Sequence, residues 1–157
     1  MQIGDTIPDF KLPATGKGEI SSSDLMGNWT VLYFYPKDLT PGCTTQAINF
    51  SERLADIKAL GAQVIGVSKD PVKRHDKFIE KHDLKFPLIA DEDGILCEAF
   101  DCWVEKQMYG KTYMGIERST FLISPDGNVS EIWRKVKVKT HVEEVLDALQ
   151  VVTKRAD

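Results

Sequence analysis

Cysteine is scarce in this chain: Cys43, Cys97 and Cys102 are the three in 157 residues. So small and odd a number does not build the disulfide framework of a secreted mini-domain. In a reducing compartment each is a small buried hydrophobe or a working thiol. None of them forms a Cys-x-x-Cys pair, which excludes a dithiol exchange cycle at a helix start. No apolar run reaches the length of a membrane span. The opening Met1-Gln2-Ile3-Gly4-Asp5 has no basic segment followed by an apolar one, so a cytoplasmic location is expected. The net charge of −4 argues against nucleic acid or an acidic membrane surface as a partner. Repeats, low-complexity tracts and linkers are also missing, and one domain over residues 1–157 is expected.

Hydrophobic residues make up 42% of the chain, enough for a substantial core. Strand-like and helix-like segments alternate, the pattern of an α/β domain. Asp9–Pro13 reads as a first strand, paired across the Gly16–Gly18 turn with Glu19-Ile20. Ser21–Leu25 reads as a short capped helix. Trp29–Tyr35 is aromatic and β-branched, as in a buried central strand, and stops at Pro36. Gln63–Val67 and Pro87–Ala90 read as further strands, with a polar helix at Val72–His82 between them. Ile95–Phe100 suggests a helical turn or two. Thr120–Ile123 and Val129–Trp133 flank Ser124-Pro125-Asp126-Gly127-Asn128, a hairpin signal. His141–Val152 closes the pattern as an amphipathic helix. The alternating Arg134–Lys139 segment reads as a strand with one solvated face. His75 and His82 read as solvated helix residues. A central mixed sheet flanked by helices, in a thioredoxin-like arrangement, is the expected architecture.

Thr40-Pro41-Gly42-Cys43 opens the helix after the central strand, with a hydroxyl cap and Pro at the first helical position. Ala47, Phe50, Leu54 and Ile57 follow as one apolar stripe, and Gly61 is the expected stop. Cys43 therefore lies near free backbone N–H groups and the positive end of a helix dipole, which favour an anion. The thiolate is the nucleophilic form of cysteine, and an ordinary thiol with pKa near 8.5 is only ~3% thiolate at pH 7. A buried inert cysteine is the plain alternative. It needs none of the hydroxyl, Pro and Gly residues gathered between Pro36 and Cys43.

The segment Pro36-Lys37-Asp38-Leu39-Thr40-Pro41-Gly42-Cys43 resembles the Pro-x-x-x-Thr-x-x-Cys signature of the peroxiredoxins. Tyr33–Thr44, Met108–Lys111 and Gly115–Phe121 resemble the bacterioferritin-comigratory, or PrxQ, branch, and the similarity runs from Gly4-Asp5 to the last helix. The resemblance implies a thiol-dependent peroxidase acting on hydrogen peroxide and organic hydroperoxides. Cys43 is then the peroxidatic nucleophile that becomes a sulfenic acid. Thr40 hydrogen-bonds the peroxide, Pro36 shields the sulfur from water, and Arg118 holds thiolate and peroxide by charge-assisted hydrogen bonds. Thioredoxin, glutaredoxin or a low-molecular-weight thiol would be the reductant, for a monomer or homodimer. Neither a cofactor nor a metal is implied.

The chain departs from that branch at the resolving thiol. Many members carry a cysteine five residues after the peroxidatic one, and here Ile48 stands there. Others carry it on the later helix, where this chain has Ile79. Three routes of recycling remain open: Cys97 or Cys102 as an unusual resolving thiol, direct attack by an external thiol, or cross-linking of two subunits. A non-catalytic binding or chaperone-type domain is the competing reading, and it has no use for Thr40 and Arg118 around a thiol.

Overall fold

The computed structural model describes residues 1–16 and 18–155, with the backbone alone at Arg155. Lys17, the centre of the expected Gly16–Gly18 turn, and the last two positions of the 1–157 domain lie outside the described residues.

The order is β1 (Lys11–Ala14), β2 (Gly18–Ser21), a 3-10 turn (Ser22–Leu25), β3 (Trp29–Phe34), α1 (Pro41–Glu52), α2 (Leu54–Ala59) and β4 (Ala62–Ser68). There follow α3 (Val72–His82), β5 (Leu88–Ala90), α4 (Ile95–Ala99), β6 (Trp103–Met108), β7 (Lys111–Ile116), β8 (Ser119–Ile123), β9 (Val129–Trp133) and α5 (Val138–Arg155). Seven strands form one mixed sheet in the order β2-β1-β5-β4-β3-β8-β9. β3, β4 and β5 are parallel, while β3 and β8 are antiparallel. The α/β expectation, with a central mixed sheet flanked by helices, holds.

Side-chain alternation along β3 explains the layering. Val31, Tyr33 and Tyr35 face one core with the stripe of α1 and α2, Phe78 of α3, and Val142, Val145, Leu146 and Leu149 of α5. Leu32 and Phe34 face a second core on the other side, with Leu96, Phe100, Cys97, Cys102 and Phe121. The sheet is therefore buried on both faces, which is why β3 reads as a continuous apolar run. Among the described residues no helix is long and apolar enough to cross a membrane.

Several expectations need correction. The first strand is Lys11–Ala14, two residues later at its start than expected, though its pairing with β2 is as expected. The helix after Cys43 breaks at Arg53, where φ is −103° and ψ is 8°. Arg53 turns its side chain to Asp56 at 2.9 Å and to Glu143 of α5. The apolar stripe survives the break, with Phe50, Leu54 and Ile57 all buried. Arg134–Lys139 is not a strand. Lys135 adopts a left-handed backbone (φ 48°), the Val136 N–H donates to the Arg118 carbonyl at 3.0 Å, and α5 already begins at Val138. β6 and β7 form a separate two-stranded hairpin turning at Tyr109-Gly110, both with positive φ. Finally, His75 is fully buried rather than solvated.

His141, on the first turns of α5, is buried too. Its Nε2 lies 2.7 Å from Thr120 Oγ1 on β8, and its ring meets Phe50 and Trp133 edge to face. Burial pushes its pKa down from 6.5 to about 4, with the Arg118 charge acting in the same direction. The folded state thus binds this proton less readily than the unfolded chain. Its contribution to stability is complete above pH 6.5 and is lost as pH falls toward 4, a loss of about 3 kcal/mol in full. We expect denaturation midpoints of the wild type to drop over that range. A His141→Gln variant, which keeps a partner for Thr120, should show a shallower drop. Parallel curves for the two proteins would assign the acid sensitivity elsewhere.

Candidate active site

The carboxyl ends of parallel strands β3, β4 and β5 lie at one edge of the sheet, where α/β proteins build their sites. β3 leaves the sheet through Tyr35, whose N–H still donates to the Val67 carbonyl at 3.1 Å. Pro36 then has no N–H to offer and the strand stops. Residues 36–40 cross to the start of α1, with Leu39 in a left-handed conformation (φ 65°). Thr40 is the N-cap residue in extended backbone and Pro41 occupies the first helical position.

Cys43 is consequently the third residue of α1. The first helical hydrogen bond is donated by Thr44 to the Thr40 carbonyl at 2.9 Å. The N–H groups of Gly42 and Cys43 precede it and are left pointing out of the helix end. Cys43 is 2% exposed.

Arg118 reaches the same place from the other side. It sits between β7 and β8, and the antiparallel pairing of β8 with β3 carries it to the exit of β3. Arg118 Nη2 lies 3.4 Å from Cys43 Sγ, and Nη1 donates to Gln46 Oε1 at 2.5 Å. The guanidinium is thus a fork with one arm fixed by α1 and the other on the sulfur. Gly42 makes room for it, since a Cβ there would lie 3.3 Å from Nη2.

Two of the expected site residues, Cys43 and Arg118, are brought into contact. Thr40 stands at the same helix end, but its hydroxyl differs from expectation. It makes no cap; instead Oγ1 donates to the Lys37 carbonyl at 2.8 Å. The proton is engaged there, and the oxygen lone pairs are what Thr40 can offer a ligand. Pro36 is exposed and lines a groove of about 440 Å³ with Lys37, Lys69, Trp103, Lys106 and Ile116. Cys97 and Cys102 are not brought to the site. Both are buried in the core on the opposite face of the sheet from Cys43.

Three neighbours were not anticipated from the sequence. Gln46 is fully buried, and its Nε2 has no partner while its Oε1 holds Arg118. Its position one helical turn after Cys43 was the available signal. Tyr33 lies beneath, stacked on Phe50 with ring centroids 4.9 Å apart and with its hydroxyl unpartnered. Burial, then the charges of Cys43 and Asp38, push its phenol pKa well above the usual value. Lys106 of β6 is close enough that partial burial and the Arg118 charge lower its ammonium pKa.

The AhpC/TSA family model matches residues 3–132. Peroxiredoxin Bcp of Bacillus subtilis is 48% identical over 155 residues, 99% of each chain. A mutant PrxQ of Xylella fastidiosa superposes with a TM-score of 0.92 at 47% identity, over 96% of both chains. The bacterioferritin comigratory protein of Xanthomonas campestris, solved in a study of its alkyl peroxide reduction activity, gives a TM-score of 0.88 at 45% identity. That match covers 95% of this chain and 99% of the other. The thioredoxin-like arrangement expected from the sequence is shared with these structures, and the chain belongs to the AhpC/TSA family of peroxiredoxins, in its bacterioferritin-comigratory or PrxQ branch.

Proposed function

We propose that this chain is a thiol-dependent peroxidase acting on hydrogen peroxide and organic hydroperoxides through Cys43. The observation that carries the assignment is the 3.4 Å contact between Arg118 Nη2 and Cys43 Sγ at the open N-terminus of α1. A guanidinium meets the sulfur in the first turn of a helix, where the leading N–H groups have no helical acceptor, and this arrangement has no purpose around an inert thiol.

In the reaction, the thiolate attacks one oxygen of the peroxide. An S–O bond forms, the O–O bond breaks, and the bonding pair leaves on the departing oxygen, which takes a proton as water or alcohol. Cys43 becomes a sulfenic acid. Arg118 and the Cys43 N–H stabilise the charge as it moves from sulfur to oxygen. Thr40 accepts a hydrogen bond from the peroxide O–H, since its own proton is held by Lys37. Pro36 walls the approach.

Recycling follows a one-cysteine course, with an external thiol attacking the sulfenate to release water and a second thiol releasing Cys43. Support comes from what surrounds the other cysteines. Burial, with Asp91 nearby, pushes the Cys97 thiol far up. Burial likewise pushes Cys102 up to about 11. Neither supplies a thiolate at neutral pH, and both face the wrong core. Ile48 and Ile79, at the places where relatives of this branch carry a second thiol, are partly buried apolar side chains packed against the same core cluster that contains Cys43. The reductant is a thiol, with thioredoxin, glutaredoxin or a small thiol as the candidates, in a cytoplasmic enzyme of a single domain.

Intact-mass analysis after one equivalent of hydrogen peroxide tests the whole scheme. Wild type, Cys97→Ser and Cys102→Ser should each gain one oxygen at Cys43. Loss of two hydrogens, abolished by either substitution, would replace the one-cysteine cycle by an internal disulfide. No change of mass in any of them would remove the peroxidase assignment.

A further inference from the structure

Asp38 lies five residues before Cys43, in the loop that carries Thr40, yet it is fully buried. A carboxylate in that position must be paired. The Tyr35 hydroxyl donates to Oδ1 at 2.5 Å, and His75 Nδ1 lies 2.6 Å from Oδ2. The Asp38 N–H donates to Asp70 Oδ2 at 2.8 Å, and Arg74 Nη2 donates to the Asp38 carbonyl at 3.1 Å. Groups from Tyr35 just past the end of β3, from α3 and from the turn between β4 and α3 thus converge on one residue of the active-site loop.

His75 is equally buried, and its Nε2 lies 2.9 Å from the Ile89 carbonyl. A carbonyl only accepts, so Nε2 carries a proton. A carboxylate also only accepts, so the short Nδ1–Oδ2 contact needs a further proton between them. The pair holds one proton more than a neutral imidazole beside a carboxylate. Its charged surroundings are consistent with that. Tyr35 keeps its own proton, because burial first, and then the neighbouring Tyr33 phenol and Asp38 carboxylate, push its phenol up. Arg74 Nε lies 3.2 Å from Asp70 Oδ1, so those two offset each other. Asp38, Asp70 and His75 bring ligand-type atoms within 4.8 Å of one another. A cation there would meet Arg74, and the cluster is held together by protons instead.

The next residue shows what the cluster restrains. Leu39 has φ 65°, a conformation that side-chain-bearing residues keep only where the surroundings over-determine it. Relaxing it would swing Thr40 away from the start of α1. We propose that the buried, proton-sharing Asp38–His75 pair is a positioning device that clamps residues 36–40 to α3 and keeps Thr40 in register with the Cys43 N–H and Sγ for peroxide. The inference rests on the Cys43 peroxidase reading. The pair touches no substrate and acts through Thr40.

The test uses the full-length enzyme and hydrogen peroxide in rapid-mixing experiments on wild type, His75→Phe and His75→Gln. The second-order rate constant should fall about 10- to 100-fold in His75→Phe, the scale of an ångström-level misplacement. His75→Gln, which keeps a polar group in the slot, should fall in the same direction and covers a folding failure of His75→Phe. Alkylation of Cys43 by iodoacetamide needs the thiolate but not Thr40, and should stay within about twofold of wild type, since no group placed against the sulfur is altered. Proton NMR of wild type should show a strongly downfield resonance from the Nδ1–Oδ2 contact, missing in both variants. Unchanged peroxide rates, parallel loss of peroxide and iodoacetamide rates, or absence of that resonance would each overturn the proposal. A wild type that consumes no peroxide would instead overturn the Cys43 reading beneath it.

Discussion

Cys43→Ser is expected to bring peroxide consumption down to the uncatalysed background while leaving the fold in place. A serine hydroxyl at neutral pH offers almost no alkoxide, and attack on a peroxide needs the anion. The helix end and Arg118 favour an anion but do not close a gap of that size. Loss of a nucleophile costs enzymes roughly 10⁴- to 10⁶-fold. Stability should change far less. The substitution exchanges a sulfur for an oxygen at a site where Arg118 Nη2 can still donate a hydrogen bond. The cost to unfolding is therefore expected to stay within about 1–2 kcal/mol. Peroxide loss measured beside thermal unfolding separates the two effects. Activity retained by a folded Cys43→Ser protein would end the assignment, since neither Cys97 nor Cys102 stands at the site.

How much of this could be read beforehand depended on whether the signal was local. The strand–Pro–loop–helix passage from Trp29 to Glu52 is local: β-branched and aromatic residues, then Pro36, then a hydroxyl before Pro41. Those residues dictate both the edge of the sheet and the place of Cys43. The 11-residue helix Val72–His82 was legible to the residue, but its buried face was not. A His three positions before Phe78 on an otherwise charged helix looks solvated until Asp38 is placed opposite it. Asp38 itself was visible only as part of a signature, because its partners come from three different elements. Arg118 lies 75 residues from Cys43 in the chain, and only the antiparallel β3–β8 pairing joins them. Its role was therefore carried by resemblance. The Lys-Val alternation after Arg134 had the period of a strand, yet Lys135 turns the chain and the Arg118 carbonyl captures Val136. Period alone could not reveal that competing hydrogen bond.

Arg118→Ala should cost the peroxide reaction about 10²- to 10³-fold, the range found when one donor aimed at developing charge is removed. The argument is geometric. One arm of the guanidinium is held by Gln46 Oε1 at 2.5 Å, so the other is already set on the sulfur before peroxide arrives. Lysine can restore the charge but not the fork, so Arg118→Lys should recover only part of the loss. Alanine also leaves the buried Gln46 amide without its partner at the oxygen, in addition to the nitrogen that already has none. An unfolding penalty of about 1–3 kcal/mol is expected from that orphaned group. A third readout lies away from the chemistry. The Arg118 charge helps to hold down the pKa values of His141 and Lys106, as the smaller cause beside burial in both. In Arg118→Ala the His141 pKa should rise from about 4 yet stay below 6.5, because burial persists. An NMR titration of His141 thus reports that the charge has gone while the fold remains. If that shift appears and the peroxide rate constant is unchanged, Arg118 is a structural neighbour of the thiol and the stabilising charge must come from the helix end alone.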